Sequence, residues 1–141
     1  MIAFKTRITP PLAVAMSLLA AAAAAGAAPE SCQVLPADVW GGIMGYTATA
    51  TPGEMYCTYK GKSGGGQLRI MAVAESSAAA EAGARRLRDM QPKDDPMASL
   101  GGFYSQGSVI FTIALFQDAP TASTATQLQK LVAAAKQRLP K

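Results

Sequence analysis

The residues best suited to chemistry in this chain are two cysteines, Cys32 and Cys57, and no histidine accompanies them. Their spacing excludes a Cys-x-x-Cys redox motif, and a zinc site lacks ligands without histidine. The same absence makes Ser–His and Cys–His nucleophile systems impossible. Glu54, Glu75 and Glu81 would form an acid/base pair only if the fold set two of them in one cleft, and nothing in the sequence requires that. Gly61-Lys62-Ser63 imitates the end of a phosphate-binding loop, but Tyr56 stands where the first glycine belongs and the segment joins two strands. Asp94-Asp95, with Asp89 nearby, lack the regular oxygen-ligand spacing of a calcium loop and read as solvated loop charges. The expectation is a protein that is not an enzyme, with no metal and no cofactor.

Two clusters would suit binding. Arg85, Arg86 and Arg88 lie close together and could meet an acidic partner, a lipid headgroup or a polyanionic envelope polymer; the plainer arrangement is charges balancing a helix C-terminus on a wet face. Trp40, Met44, Tyr46 and Tyr104 could line an apolar pocket; the plainer arrangement is ordinary core.

The N-terminal segment sets the compartment. Lys5 and Arg7 form a positive start, no further charge occurs until Glu30, and residues 12–25 are apolar apart from Ser17. Ala25-Gly26-Ala27 has the small-x-small pattern of a signal peptidase site, so residues 1–27 are expected to be a signal peptide cleaved before Ala28. A retained anchor would need about 20 strongly apolar residues, whereas this stretch is mostly alanine and is interrupted by Pro10 and Pro11. Pro29-Glu30-Ser31 before Cys32 is not a lipobox. Two of the 13 Lys and Arg leave with the signal, so the net charge falls from +4 to +2 against the 9 Asp and Glu. Export removes nucleic acid as a partner, despite the basic balance. It also places Cys32 and Cys57 where thiols oxidise, and a disulfide between them is expected.

These residues need a scaffold, and residues 28–141 have the length of a single domain. Residues 35–45 read as a short helix, with Pro36 in its first turn, Asp38 facing the N-terminal dipole and Gly45 at the C-cap. Strands follow at 46–50 and 55–60, separated by a Thr51-Pro52-Gly53 turn. Residues 61–66 are expected to be a hairpin loop. A strand at 67–74 then carries Leu68, Ile70 and Ala72 on one face, and Arg69, Met71 and Val73 on the other. Residues 75–90 form a helix capped by Ser76 or Ser77. After a loop at 92–102, strands 103–105 and 109–116 pair around Gln106-Gly107. A last helix runs from about 120 to 139, with Thr124 and Gln127 as a capping box and Leu128, Leu131, Val132, Ala135 and Leu139 on one stripe. The order α-β-β-β-α-β-β-α predicts an α+β fold, a curved antiparallel sheet of about five strands with helices packed on one face.

The run Ser31-Cys32-Gln33-Val34-Leu35-Pro36-Ala37-Asp38-Val39, then Gly45, Cys57-Thr58-Tyr59 and Leu100-Gly101-Gly102-Phe103-Tyr104, resembles a group of small secreted bacterial two-cysteine proteins of unknown function. In that plan a cysteine opens a Leu-(Thr/Pro)-x-x-(Asp/Glu)-Val helix and a second lies in a Cys-x-Tyr strand. A Gly-Leu-Gly-Asp-x-Ala-like segment precedes the last hairpin; Ser99-Leu100-Gly101-Gly102 lacks its acidic residue. Relatives with this plan are similar to PsbP-like α/β sandwiches, which implies a fold used for binding and assembly. The functional expectation is an exported, periplasmic or secreted binding module whose partner is an envelope protein or small ligand, with no membrane span after signal cleavage. Its competitors are an inhibitor or immunity-type protein, acting through the loop at 92–102 on a secreted enzyme, and an enzyme of unrecognised type.

Overall fold

A computed structural model describes residues 28–94 and 100–141. The expected signal segment and cleavage site, and Asp95 with the rest of the 95–99 stretch, lie outside the described residues. Two short helices open the fold, α1 (Ser31–Val34) and α2 (Ala37–Met44). Strands β1 (Thr49–Gly53), β2 (Tyr56–Gly61) and β3 (Gly64–Val73) follow. Then come α3 (Ser77–Asp89), β4 (Gly101–Gln106), β5 (Val109–Phe116) and α4 (Thr124–Arg138). The five strands make an open antiparallel sheet in the order β1-β2-β3-β5-β4. This is the α+β architecture the pattern predicts, with the opening helix in two pieces and β5, the most apolar strand, near the centre.

Strand alternation divides the sheet into two faces. Cys57, Tyr59, Leu68, Ile70, Phe111, Ile113 and Leu115 share the core face with Trp40 of α2 and Leu128, Leu131 and Ala135 of α4. Helix α3 stands apart from this cluster. Its Ala80 and Ala84 pack on Ile110, which alternates with Phe111 and so points to the reverse face. The helix approaches closely enough that a β-carbon on Gly83 would meet the Ile110 terminal methyl at 2.8 Å. The expected covered face is thus the one under α1, α2 and α4, while α3 covers part of the reverse near edge strand β4.

Several local expectations are corrected. Thr51, Pro52 and Gly53 are not a turn; they belong to β1, and the chain turns at Glu54-Met55, where Met55 takes the left-handed conformation at φ 64°. Pro52 is tolerated because β1 is an edge strand that needs no second set of ladder bonds. Likewise the loop expected at 61–66 shrinks to Lys62-Ser63, and Gly64, Gly65 and Gly66 extend β3. At Gly66 any β-carbon would strike the Trp40 ring and the Ala114 carbonyl, so the glycine is a packing requirement rather than a loop signal. A bulge between Ile70 and Ala72 changes the alternation of β3. Ala72, expected beside Leu68 and Ile70, pairs with Ile110 on the reverse face, and Val73 packs on the core instead.

Helix ends follow the same accounting. Gly45 adopts φ 83° and caps α2, and Ser76 Oγ accepts from the Ala79 amide at 3.1 Å, both as expected. Pro36 is the N-cap of α2 instead of an internal residue. Helix α4 starts at Thr124 and has no capping box. Buried Thr124 takes the Thr121 amide on its hydroxyl at 2.7 Å, and Gln127 reaches across to the Met44 carbonyl at 3.4 Å.

Tyr59 ties the opening helices to the sheet. Its ring is fully buried and its hydroxyl donates to the Leu35 carbonyl at 2.6 Å. Burial pushes the phenol far above its ordinary value, so the folded chain keeps a proton that the unfolded chain releases. A raised folded pKa gives stability that is complete below the unfolded value and is lost as pH rises. Stability is expected to fall from about pH 10 upward, by up to about 1.4 kcal/mol per pH unit. Tyr59→Phe should flatten that alkaline limb and cost about 1–3 kcal/mol at neutral pH by leaving the Leu35 carbonyl unpaired. Urea titrations across the alkaline range read both effects; an alkaline limb unchanged in the variant contradicts the assignment.

Candidate functional site

Helix α4 turns one stripe inward and sets a second, largely exposed one beside it. Leu128, Leu131, Ala135 and Leu139 enter the core, as the periodicity predicts, and Val132 is half-buried beside them. Next to this stripe, Ala125, Gln129, Ala133 and Lys136 repeat at helical spacing and face the edge strand β4. Between them and Gly101 and Tyr104 of β4 runs an apolar groove of about 510 Å³, floored by Leu128 and Val132. The groove exists because its walls are short. Ala125 and Ala133 present only methyl groups and Gly101 presents nothing. Tyr104 lies back along the sheet over Gly102, its ring tilted against Phe111 at 5.6 Å between centroids.

Adjoining the groove is a polar recess of about 300 Å³. Tyr104 and Lys136 line both spaces. The recess adds Ser77, Glu81 and Arg88 of α3 and residues 105–107 of the β4–β5 turn, so it wraps the free edge of β4 between α3 and α4. Burial raises the Tyr104 phenol, an effect that the nearby Arg88 charge partly offsets. The hydroxyl therefore stays protonated at neutral pH, with the Arg88 charge near it and Lys136 lining the same recess.

The residues singled out from sequence divide between structure and surface. Cys32 and Cys57 form the expected disulfide, with Cα atoms 5.1 Å apart, joining α1 to β2. All three arginines are exposed on α3. Arg85 pairs with Glu81 at 3.2 Å, and Arg88 donates to the Phe103 carbonyl at 2.9 Å, leaving Arg86 to face solvent apart from both. Trp40 and Met44 come together as core, and Tyr46 packs partly buried against them. Trp40 is fully buried and stacks on Tyr59 at 4.0 Å, and its Nε1 donates to the Tyr46 hydroxyl at 2.9 Å. Tyr104 stands away from these three, on the opposite edge strand, and is the one member of that set in the groove. Arg69 lies on the reverse face with its guanidinium over the Tyr56 ring at 5.2 Å. Glu54, Glu75 and Glu81 fall on separate elements, the β1–β2 turn, the segment before α3, and α3 itself.

Sequence reasoning missed the α4 wall. A signal for it was present: Ala125, Gln129, Ala133 and Lys136 occupy the helical face adjoining the core stripe, and only the first apolar stripe was used. The fold and groove define an open-sheet α+β domain with an amphipathic cleft at its edge. Comparison with known proteins returns no match, whether to a family model, a curated protein or a solved structure. Among the described residues, no helix is long and apolar enough to cross a membrane.

Proposed function

We propose that this chain is an exported, non-catalytic binding module of the bacterial envelope, and that the cleft along β4 is where it holds its ligand or partner. The observation that carries the reading is the groove itself, a mostly apolar lining that also includes Tyr104 and Lys136. Small-molecule sites are built this way, mostly apolar with a few placed polar groups. The Cys32–Cys57 disulfide supports an oxidising compartment, and the N-terminal pattern supports export to reach it. The resemblance to secreted two-cysteine proteins points the same way.

The test is native and denaturing mass spectrometry of the chain purified from the envelope fraction of its host, with and without reductant. The expected mass begins at Ala28, gains two hydrogens on reduction and, under native conditions, is accompanied by a retained envelope molecule. A full-length chain with free thiols would overturn the exported reading, and a mature chain that captures nothing from the envelope would count against binding.

A further inference from the structure

From the apolar groove and the cationic recess sharing Tyr104 and Lys136 in their linings, we infer that the cleft takes a monomeric single-chain amphiphile with an anionic head, of the fatty-acid or lysolipid kind. The inference rests on reading the cleft as the ligand site. An acyl chain fits the long dimension, along Leu128 and Val132 between α4 and Gly101. It would replace water on an apolar surface that α4 exposes through its short alanine wall. The head then falls at Tyr104 and Lys136, the two residues common to both spaces.

Charge decides which head. Lys136 is half-buried and lines both the groove and the recess. Arg88 adds a second cation to the recess, where Glu81 also lies and pairs with Arg85 at 3.2 Å. A carboxylate or phosphate would gain a charge-assisted bond from Lys136 and a donor bond from the protonated Tyr104 hydroxyl. A quaternary ammonium head would meet two like charges. The α3 arginines enter this scheme through Arg88 alone, since it is the one that lines the recess.

Amide NMR titration of the mature, oxidised chain with dodecanoate below its micellar concentration tests the proposal. Saturable shifts are expected at residues 101–104 and 125–136, with dodecyl maltoside weaker and dodecyltrimethylammonium weaker still. Lys136→Met keeps the stem and removes the charge; it should weaken dodecanoate about tenfold and leave dodecyl maltoside unchanged. Ala133→Glu, at an exposed helical position, should weaken both by at least about tenfold while the rest of the spectrum remains that of the folded chain. Shifts that map to the open sheet face around Tyr56 and Arg69 overturn the assignment, as does equal binding of the cationic detergent. Binding to phosphatidylglycerol vesicles without monomer binding also overturns it in favour of a membrane surface. A protein partner captured through the cleft, with no dodecanoate response, overturns the amphiphile and leaves the binding-module reading standing.

Discussion

Breaking the Cys32–Cys57 bridge, by reductant or in a Cys32→Ala/Cys57→Ala chain, is expected to lower the unfolding free energy by about 3 to 4 kcal/mol. The bridge closes a loop of sequence separation 25, and loop-closure entropy removed from the unfolded ensemble accounts for that figure. The native side of the argument is as important. Helix α1 is only 4 residues long and could not persist by its own hydrogen bonding. It is nevertheless the element that brings Val34 and Leu35 into the core, at 2% and 0% exposure, and sets the Leu35 carbonyl over Tyr59. Freed from β2, this segment keeps the Tyr59 bond and its apolar contacts but loses its covalent hold. Small domains have only about 5–15 kcal/mol in total. The loss should appear as a drop of roughly 15 °C in melting temperature. It should also appear as a larger denaturant slope, because the uncrosslinked chain exposes more surface on unfolding. Urea melts of oxidised and reduced protein followed by circular dichroism provide the measurement; a difference below about 1 kcal/mol would show that the bridge constrains nothing that packing does not already hold.

That bridge was legible in the sequence because its logic is chemical: two cysteines, an N-terminal pattern that leads one to expect export, and no competing ligand. Helix α4 was equally legible, since a regular apolar stripe at helical spacing has few other realisations. The misread segments share a different cause. Thr51-Pro52-Gly53 and Gly64-Gly65-Gly66 carry the residues that commonly mark turns, and local propensity alone assigns them to loops. Tertiary contacts decide otherwise. Gly66 is extended because the Trp40 ring and the β5 backbone occupy the space a side chain would need, and Pro52 is extended because it lies on an edge. The partners that settle these conformations are 26 and 48 residues from Gly66 in the chain, beyond any local window. The bulge near Met71 is of the same kind, for its effect on Ala72 and Val73 becomes apparent only once β5 is paired. The candidate groove was legible only in part. Tyr104 was named, but its apparent companions were chosen for aromatic character, whereas the cleft is shaped by residues that are small: Gly101, Ala125 and Ala133.

Trp40→Ala is expected to be the most destabilising single substitution outside the disulfide, at about 4 kcal/mol. The indole is 0% exposed, fills the hollow over Gly66 and lies flat on Tyr59 with an interplanar angle of 4°. Neighbours cannot close the cavity, because one wall is β3 backbone and another is a ring held by its bond to Leu35. A graded series separates volume from polarity. Trp40→Phe keeps an aromatic face on Tyr59 but deletes the Nε1 donor to the Tyr46 hydroxyl, and should cost about 2 kcal/mol. Tyr46→Phe leaves the indole N–H buried without an acceptor and should cost about 1–3 kcal/mol. Combining the two removes both partners, so the double variant should be more stable than the sum of the single losses by about 1 kcal/mol. Strict additivity in that cycle would mean that the Trp40–Tyr46 bond contributes nothing and that packing alone holds α2 down. The series also tests whether scaffold and cleft are separable. Trp40 serves the β2–β3 side of the core, while the groove is made by α4 and β4 at the other edge. At temperatures where Trp40→Phe remains folded, its affinity for dodecanoate should therefore equal that of the parent chain, although its melting temperature does not.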